Sequence, residues 1–146
     1  MATTPPPAPA SPRQVVERIH RLVAEGNVEG QAELFAADGV LEWPFAPDGV
    51  PRRLEGREAI RATFAPLGRR MRAAGRRPGA VANVVVHETR DPEVVVVELA
   101  LGGGGDPLPY VQVFRVRDGQ ILEFRDYFGP RTAAALVAGL GVAPAG

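Results

Sequence analysis

The order of elements in this chain predicts an α+β domain, in which helices come first and an almost unbroken antiparallel meander follows. Three observations carry that prediction. Apolar residues recur at helical spacing in two early segments, around Val15 to Val23 and around Ile60 to Met71. β-Branched and aromatic runs fill the second half up to Phe128. Turn chemistry separates those runs at Arg90-Asp91-Pro92-Glu93 and at Asp118-Gly119. The length, 146 residues, is that of one ordinary domain.

The opening MATTPPPAPASP has no basic start followed by an apolar core, so it reads as a disordered, proline-stiffened tail over 1–12 and not as a signal peptide. The single domain is expected over 13–141, with a flexible C-terminal tail over 142–146. Ser11 can cap free backbone N–H groups, Pro12 suits a first turn, and Gln14 stands where a capping box needs it. Val15, Ile19, Leu22 and Val23 then form one apolar stripe, and Gly26 stops the helix. A short second helix places Val28, Ala32 and Phe35 inward. Asp38, ahead of Gly39, is expected in a turn.

A short strand over 39–45 carries VLEWPF, and Pro44 ends or kinks it because proline cannot donate to the ladder. APDGVPRRLEG is turn-rich and predicts an irregular loop. The clearest helix spans 57–74, with Ile60, Phe64, Leu67 and Met71 spaced four, three and four apart. Pro66 inside it should kink or split it. Strands follow over 81–89, 94–101, 110–117 and 120–128, with a flexible link at 102–107 and a short terminal helix over 132–140.

Composition narrows the function. Hydrophobic residues make up 45% and charged residues 23%, enough for a sizeable core in a soluble chain. Seventeen Arg balance 17 Asp plus Glu, which argues against the broad basic footprint of a nucleic-acid binder. No apolar run reaches the roughly 20 residues of a membrane helix. The absence of Lys excludes a Schiff base except at the N-terminal amine. The absence of Cys removes thiol nucleophiles, disulfides and thiolate metal ligands, and fits a cytoplasmic protein. His20 and His87 begin no metal-binding spacing, and Gly102 to Gly105 is not a nucleotide-binding motif, so neither metal nor cofactor is expected. Arg69, Arg70, Arg72, Arg76 and Arg77 form a basic cluster whose default reading is solvation, with an acidic partner or a phosphate as the alternative.

Alternation along the final hairpin singles out the candidate site. One face carries Tyr110, Gln112, Phe114 and Val116, then Leu122, Phe124, Asp126 and Phe128. The other carries Val111, Val113, Arg115 and Arg117, then Ile121, Glu123, Arg125 and Tyr127, a face for solvent or a partner chain. Asp126 among phenylalanines is costly to ionise, so its pKa is expected to rise toward neutrality, as an acid or base requires. The alternative is that Asp126 caps a loop or binds an Arg at the strand's open end. Gln112 orients a ligand or bonds across the sheet, and Tyr110 donates from its phenol or anchors a strand end. Trp43 and Phe45 pack in the core or wall a ring-shaped ligand, and His20 edges the pocket or covers the core. Ile19, Phe64, Phe114, Leu122, Phe124 and Phe128 complete the expected lining. Val85, Val95, Val97, Val111 and Val113 make both sheet faces partly apolar, which predicts a homodimer through one of them.

AELFAADGVLEWPF, LEGREAIRATFAPL and YVQVFRVRDGQILEFRDYFGP, in this order and spacing, resemble the SnoaL-like branch of the NTF2-like superfamily. WPFAPDGVPRRLEG and the late RDYFGP are similar to the phenazine-biosynthesis PhzA/PhzB-like subgroup. The resemblance implies a cone of N-terminal helices closed by a strongly bent antiparallel sheet, a deep pocket between the layers, and a dimer. It implies kinship with polyketide cyclases, ketosteroid isomerases and epoxide hydrolases, and fold alone does not choose among them. The late-strand carboxylate of SnoaL-like cyclases corresponds to Asp126. The isomerases' shuttling Asp, helix Tyr and protonated Asp fall on Trp43, Ile19 and Gln112, which undercuts an isomerase mechanism. The expected protein binds a small apolar or aromatic molecule and acts as a cyclase, isomerase or hydrolase on a cyclic or polyketide-like metabolite through Asp126. The alternative is a non-catalytic ligand-binding or dimeric scaffold protein.

Overall fold

The computed structural model describes residues 2–73, 80–102 and 106–141. Helix α1 (Pro12–Glu25) starts at the capping box read from the sequence: the Gln14 N–H donates to Ser11 Oγ, and the Ser11 N–H donates to Gln14 Oε1. It ends at Gly26 in the left-handed conformation. Its buried face holds Val15, Val16, Ile19 and His20, while Leu22 and Val23 are half-buried, so the stripe is rotated toward His20 relative to expectation. Helix α2 (Val28–Glu33) buries Val28 and Ala32 and is capped by Asn27.

Strand β1 (Phe35–Glu42) begins earlier than the sequence pattern suggested and stops before Trp43. Asp38 therefore lies within a strand, exposed, and not in a turn. The register shifts between Phe35 and Val40, which gives Asp38 an irregular stretch without ending the strand. A Cβ at Gly39 would lie 2.7 Å from the Ile121 carbonyl oxygen, so the close approach of β1 to its neighbour there requires glycine. The loop expected to be irregular contains β2 (Arg53–Glu55), paired antiparallel to β1. Helix α3 (Arg57–Ala73) runs through Pro66 without splitting. Its packing on α2 and β1 outweighs the hydrogen bond that the proline ring removes. The Met71 side chain, the expected helix end at Ala74, Arg76, Arg77, residues 103–105 and the expected tail over 142–146 lie outside the described residues.

Strands β3 (Ala80–Glu88), β4 (Val94–Gly102), β5 (Leu108–Arg117) and β6 (Gln120–Phe128) form the expected antiparallel meander. Asp118 and Gly119 turn the last hairpin with φ of 52° and 76°, the two positive values that a tight two-residue turn demands. The sheet order is β2-β1-β6-β5-β4-β3. One pairing departs from the antiparallel expectation: β1 runs parallel to β6, which the helical connection between β1 and the meander makes feasible. Helix α1 contacts β3, β4 and β5, α3 contacts β1 and β2, and α4 (Pro130–Leu140) returns to α3. A single apolar core unites α1, α2, α3 and the inward face of the sheet.

Candidate active site

Between the helices and the inward face of the sheet lies a cavity of about 470 Å³. The strands supply its polar groups through their period of two. Gln112 on β5 stands directly across the ladder from Asp126 on β6, as Tyr110 does from Phe128. Helix α1 brings His20 over the same spot. His20 Nε2 lies 2.9 Å from Gln112 Oε1, and the imidazole N–H donates to that carbonyl. Gln112 Nε2 donates in turn to Asp126 Oδ1 at 3.3 Å. The three side chains make one continuous row, and no buried side-chain nitrogen or oxygen among the described residues lacks a partner.

The electrostatics follow from this setting. Burial pushes the Asp126 carboxyl up to about 7, only partly opposed by the Gln112 amide. Its accessible surface is intermediate because the cavity reaches it, while protein surrounds it on every other side. Burial pushes His20 below the ordinary imidazole range, with the Gln112 contact acting against that shift, so the ring is neutral at pH 7. Burial raises the Tyr110 phenol, and the neighbouring Thr132 side chain on α4 works in the other direction.

Apolar side chains fill most of the rest of the wall. Phe124 stacks on Phe114 with centroids 4.3 Å apart, and Trp43 stacks on Phe64 at 6.4 Å. Of the residues expected at a pocket, Ile19, His20, Trp43 and Phe64 line the cavity from the helical side and from the end of β1. Tyr110, Gln112, Phe124, Asp126 and Phe128 line it from the sheet. Phe114 is fully buried behind Phe124 and does not reach the cavity.

Phe114 is thus one correction to the expected lining, and two more follow. Phe45 is 64% exposed and meets Tyr127 edge-on, on the opposite face of the sheet, because the chain turns outward at Pro44. Leu122 does not line the cavity: the register shifts between Arg115 and Val116, so Val116 faces Ile121 and Leu122 is the extra residue. Ile121, assigned to the outward face by simple alternation, is fully buried.

Sequence reasoning missed the contribution of α4, whose Thr132, Ala135 and Leu136 cover the cavity, and it missed Arg70 on α3 at the same end. The apolar pattern of 132–140 was visible, but nothing local says which surface it covers. Among the described residues no three His, Asp or Glu side chains cluster to hold a metal ion. No helix among them is long and apolar enough to cross a membrane.

Residues 16–124 match the SnoaL-like domain. The chain belongs to the SnoaL-like family. A PhzA/B-like protein of Pseudomonas aeruginosa is 33% identical over 124 residues, covering 81% of this chain and 84% of that one. Among solved structures, an isomerase candidate from Bacillus subtilis has a TM-score of 0.71 at 23% identity, covering 87% of this SnoaL-like chain and 92% of its own. An epoxide hydrolase/cyclase-like enzyme of pyran ring formation in salinomycin, SalBIII, has a TM-score of 0.62 at 22% identity, covering 82% and 92%. These likenesses establish the NTF2-like α+β fold for the SnoaL-like chain, with its curved sheet and covering helices.

Proposed function

We propose that this SnoaL-like protein is an enzyme that moves a proton on a small, largely apolar cyclic or polyketide-like metabolite, with Asp126 as acid and base. The observation that carries the reading is a single carboxylate, raised to about 7, in a cavity walled mostly by apolar side chains. A pKa near the working pH gives a group that both takes and returns a proton. Gln112 occupies Oδ1, which leaves Oδ2 of Asp126 for the substrate. The Tyr110 phenol lines the same cavity and is the donor proposed for developing negative charge on a substrate oxygen. Proteins of similar fold that are named as an isomerase candidate, a polyketide cyclase candidate and an epoxide hydrolase/cyclase-like enzyme support proton-transfer chemistry of this class.

The proposed assembly is a homodimer through the outward sheet face, where Val85 and Val111 are 50% and 41% exposed beside Phe45.

The test uses exchange of the α-protons of cyclic monoketones, which is slow without a catalyst, for deuterium in D₂O, followed by NMR. Asp126→Asn is expected to lower the catalysed exchange by about 10²- to 10⁴-fold. Trp43, the sole tryptophan, lines the cavity and reports binding by its fluorescence. Exchange that is unchanged in Asp126→Asn removes the acid/base role. Fluorescence titration with no exchange in the parent protein favours the second reading, a non-catalytic carrier with the same apolar pocket.

A further inference from the structure

The His20–Gln112–Asp126 row contains a group that the acid/base reading leaves idle. We propose that His20 is a positioning residue: its Nε2–H holds the Gln112 amide with the NH₂ group toward Asp126, which ties down Oδ1 and turns Oδ2 into the cavity as the reacting oxygen.

A glutamine side chain is ambiguous by itself, because its two ends are a donor and an acceptor of almost the same shape. Turned one way it donates to Asp126, and turned the other way it offers a carbonyl that only a protonated carboxyl can use. Gln112 is 6% exposed, so water does not decide between the two. The decision falls to what stands at its other end, which is His20 at 2.9 Å. An imidazole with its proton on Nε2 demands the carbonyl and sends the NH₂ group to Asp126.

His20 suits this task because it is neutral. A lysine or arginine in its place would add a full charge to the cavity and pull Asp126 down toward the ordinary carboxylate range. Burial keeps the imidazole below its usual pKa, so it supplies a donor and no charge. The remaining ionisable groups on the same cavity are Tyr110 on β5, whose phenol is raised by burial, and Arg70 on α3, which donates to the Gly139 carbonyl on α4.

Removing the donor has one sign. Without His20 the Gln112 carbonyl loses its partner, the N–H bond to the carboxylate loses its polarising neighbour, and the amide becomes free to accept from a protonated Asp126. Each effect favours the neutral carboxyl, so the Asp126 pKa rises.

The proposal rests on the assignment of Asp126 as the reacting group, but its test does not require turnover. Protein labelled with ¹³C at the aspartate carboxyls is titrated by NMR, with Asp126 assigned by its loss in Asp126→Asn. In the parent the Asp126 midpoint is expected near 7. In His20→Leu it is expected to rise by about one unit, a tenfold change in proton affinity. In His20→Gln, which restores an N–H donor, it is expected to return toward the parent value. A midpoint that is unmoved or lowered in a folded His20→Leu protein overturns the proposal. So does His20→Gln that tracks His20→Leu, since that result reports only lost polarity or packing. If both variants fail to fold, the His20 ¹⁵N signals of the parent protein supply the test: the proton must sit on Nε2, and a neutral ring protonated on Nδ1 overturns the proposal. Failure of the α-proton exchange assay with these midpoints intact would sink the enzyme reading and spare the positioning role.

Discussion

Asp126 lies within the sheet and the pair Asp91–Glu93 in a turn that joins two of its strands, and their surroundings drive the same functional group in opposite directions. Asp126 faces inward with one neutral amide for company, and burial lifts it to about 7. Asp91 and Glu93 sit at the turn between β3 and β4. There Asp91 accepts the Glu93 backbone N–H and an Arg115 bond, and Glu93 accepts from Arg117 and Arg115. Asp91 is held below the usual carboxylate range chiefly by that backbone N–H, and Glu93 chiefly by Arg117. The difference teaches that a carboxylate becomes chemically useful near neutral pH where the fold withholds partners from it, and becomes structural where the fold supplies them.

The comparison breaks most visibly in the pH dependence of stability. Asp126 holds its proton in the folded chain up to about 7, against an ordinary value of 3.8. Above 3.8 the unfolded chain has released that proton and the folded chain has not, so stability falls as pH rises from about 4 to about 7 and levels off beyond. Three units correspond to a loss of up to about 4 kcal/mol. Asp126→Asn is expected to match the parent near pH 4 and to exceed it by up to that amount at pH 8, measured by urea denaturation. Asp91 and Glu93 have the opposite sign, since their contribution is present at neutral pH and lost as acid titrates them through their lowered values. The acid limb should therefore survive in Asp126→Asn. His20, lowered by burial, acts with the opposite sign in the same window and cancels only in the difference between the two proteins, so a difference that is the same at pH 4.5 and pH 8 would contradict the burial of Asp126.

A second contrast uses the same residue type on the two faces. Val97 is fully buried on the inward face and faces Gln112 across the ladder, while Val111, one position before Gln112, is 41% exposed. Val97→Thr buries a hydroxyl among apolar groups and should cost about 1–3 kcal/mol. Val111→Thr should change chain stability by less than about 0.5 kcal/mol. If the outward face is the dimer interface, Val111→Arg should also convert the sedimenting species from dimer to monomer. A parent that already sediments as a clean monomer at micromolar concentration removes the proposed interface.

This distinction between faces was legible in the sequence only in part. The period of two put Tyr110, Gln112, Phe124, Asp126 and Phe128 on one side, and coordinates agree because that rule depends on backbone geometry alone. The rule failed at Leu122, where the register shift before Val116 adds one residue and moves Ile121 inward. A bulge has no local signature in a run such as Gln120-Ile121-Leu122-Glu123, because either neighbour is apolar enough to be buried. The capping box at Ser11 and the turn at Asp118-Gly119 were legible because each is made by residues within a few positions. The parallel pairing of β1 with β6, the cover supplied by α4, and the contact of His20 with Gln112 across 92 positions were not, since each depends on how the curved sheet closes on the helices.

The smallest expected effect lies at the exposed end of the comparison. Arg115 lies 3.0 Å from Asp91, 3.2 Å from Glu93 and 3.9 Å from Glu123, and it looks like the keystone of the acidic turn. Exposed ion pairs contribute little, because water already solvates both partners and salt screens what is left. Arg115→Gln should lower Tm slightly at low ionic strength and not at all in molar salt. It should also leave Asp91 below the ordinary range, because the strongest hold on that carboxyl is the Glu93 backbone N–H, which the substitution does not touch. Glu93 should move less than its contact with Arg115 suggests, since Arg117 remains. A ¹³C titration in which Asp91 returns fully to its ordinary value would show that the guanidinium, and not the turn, holds it down. The same salt series should leave the Asp126 midpoint in place, because its shift comes from burial, which salt does not screen.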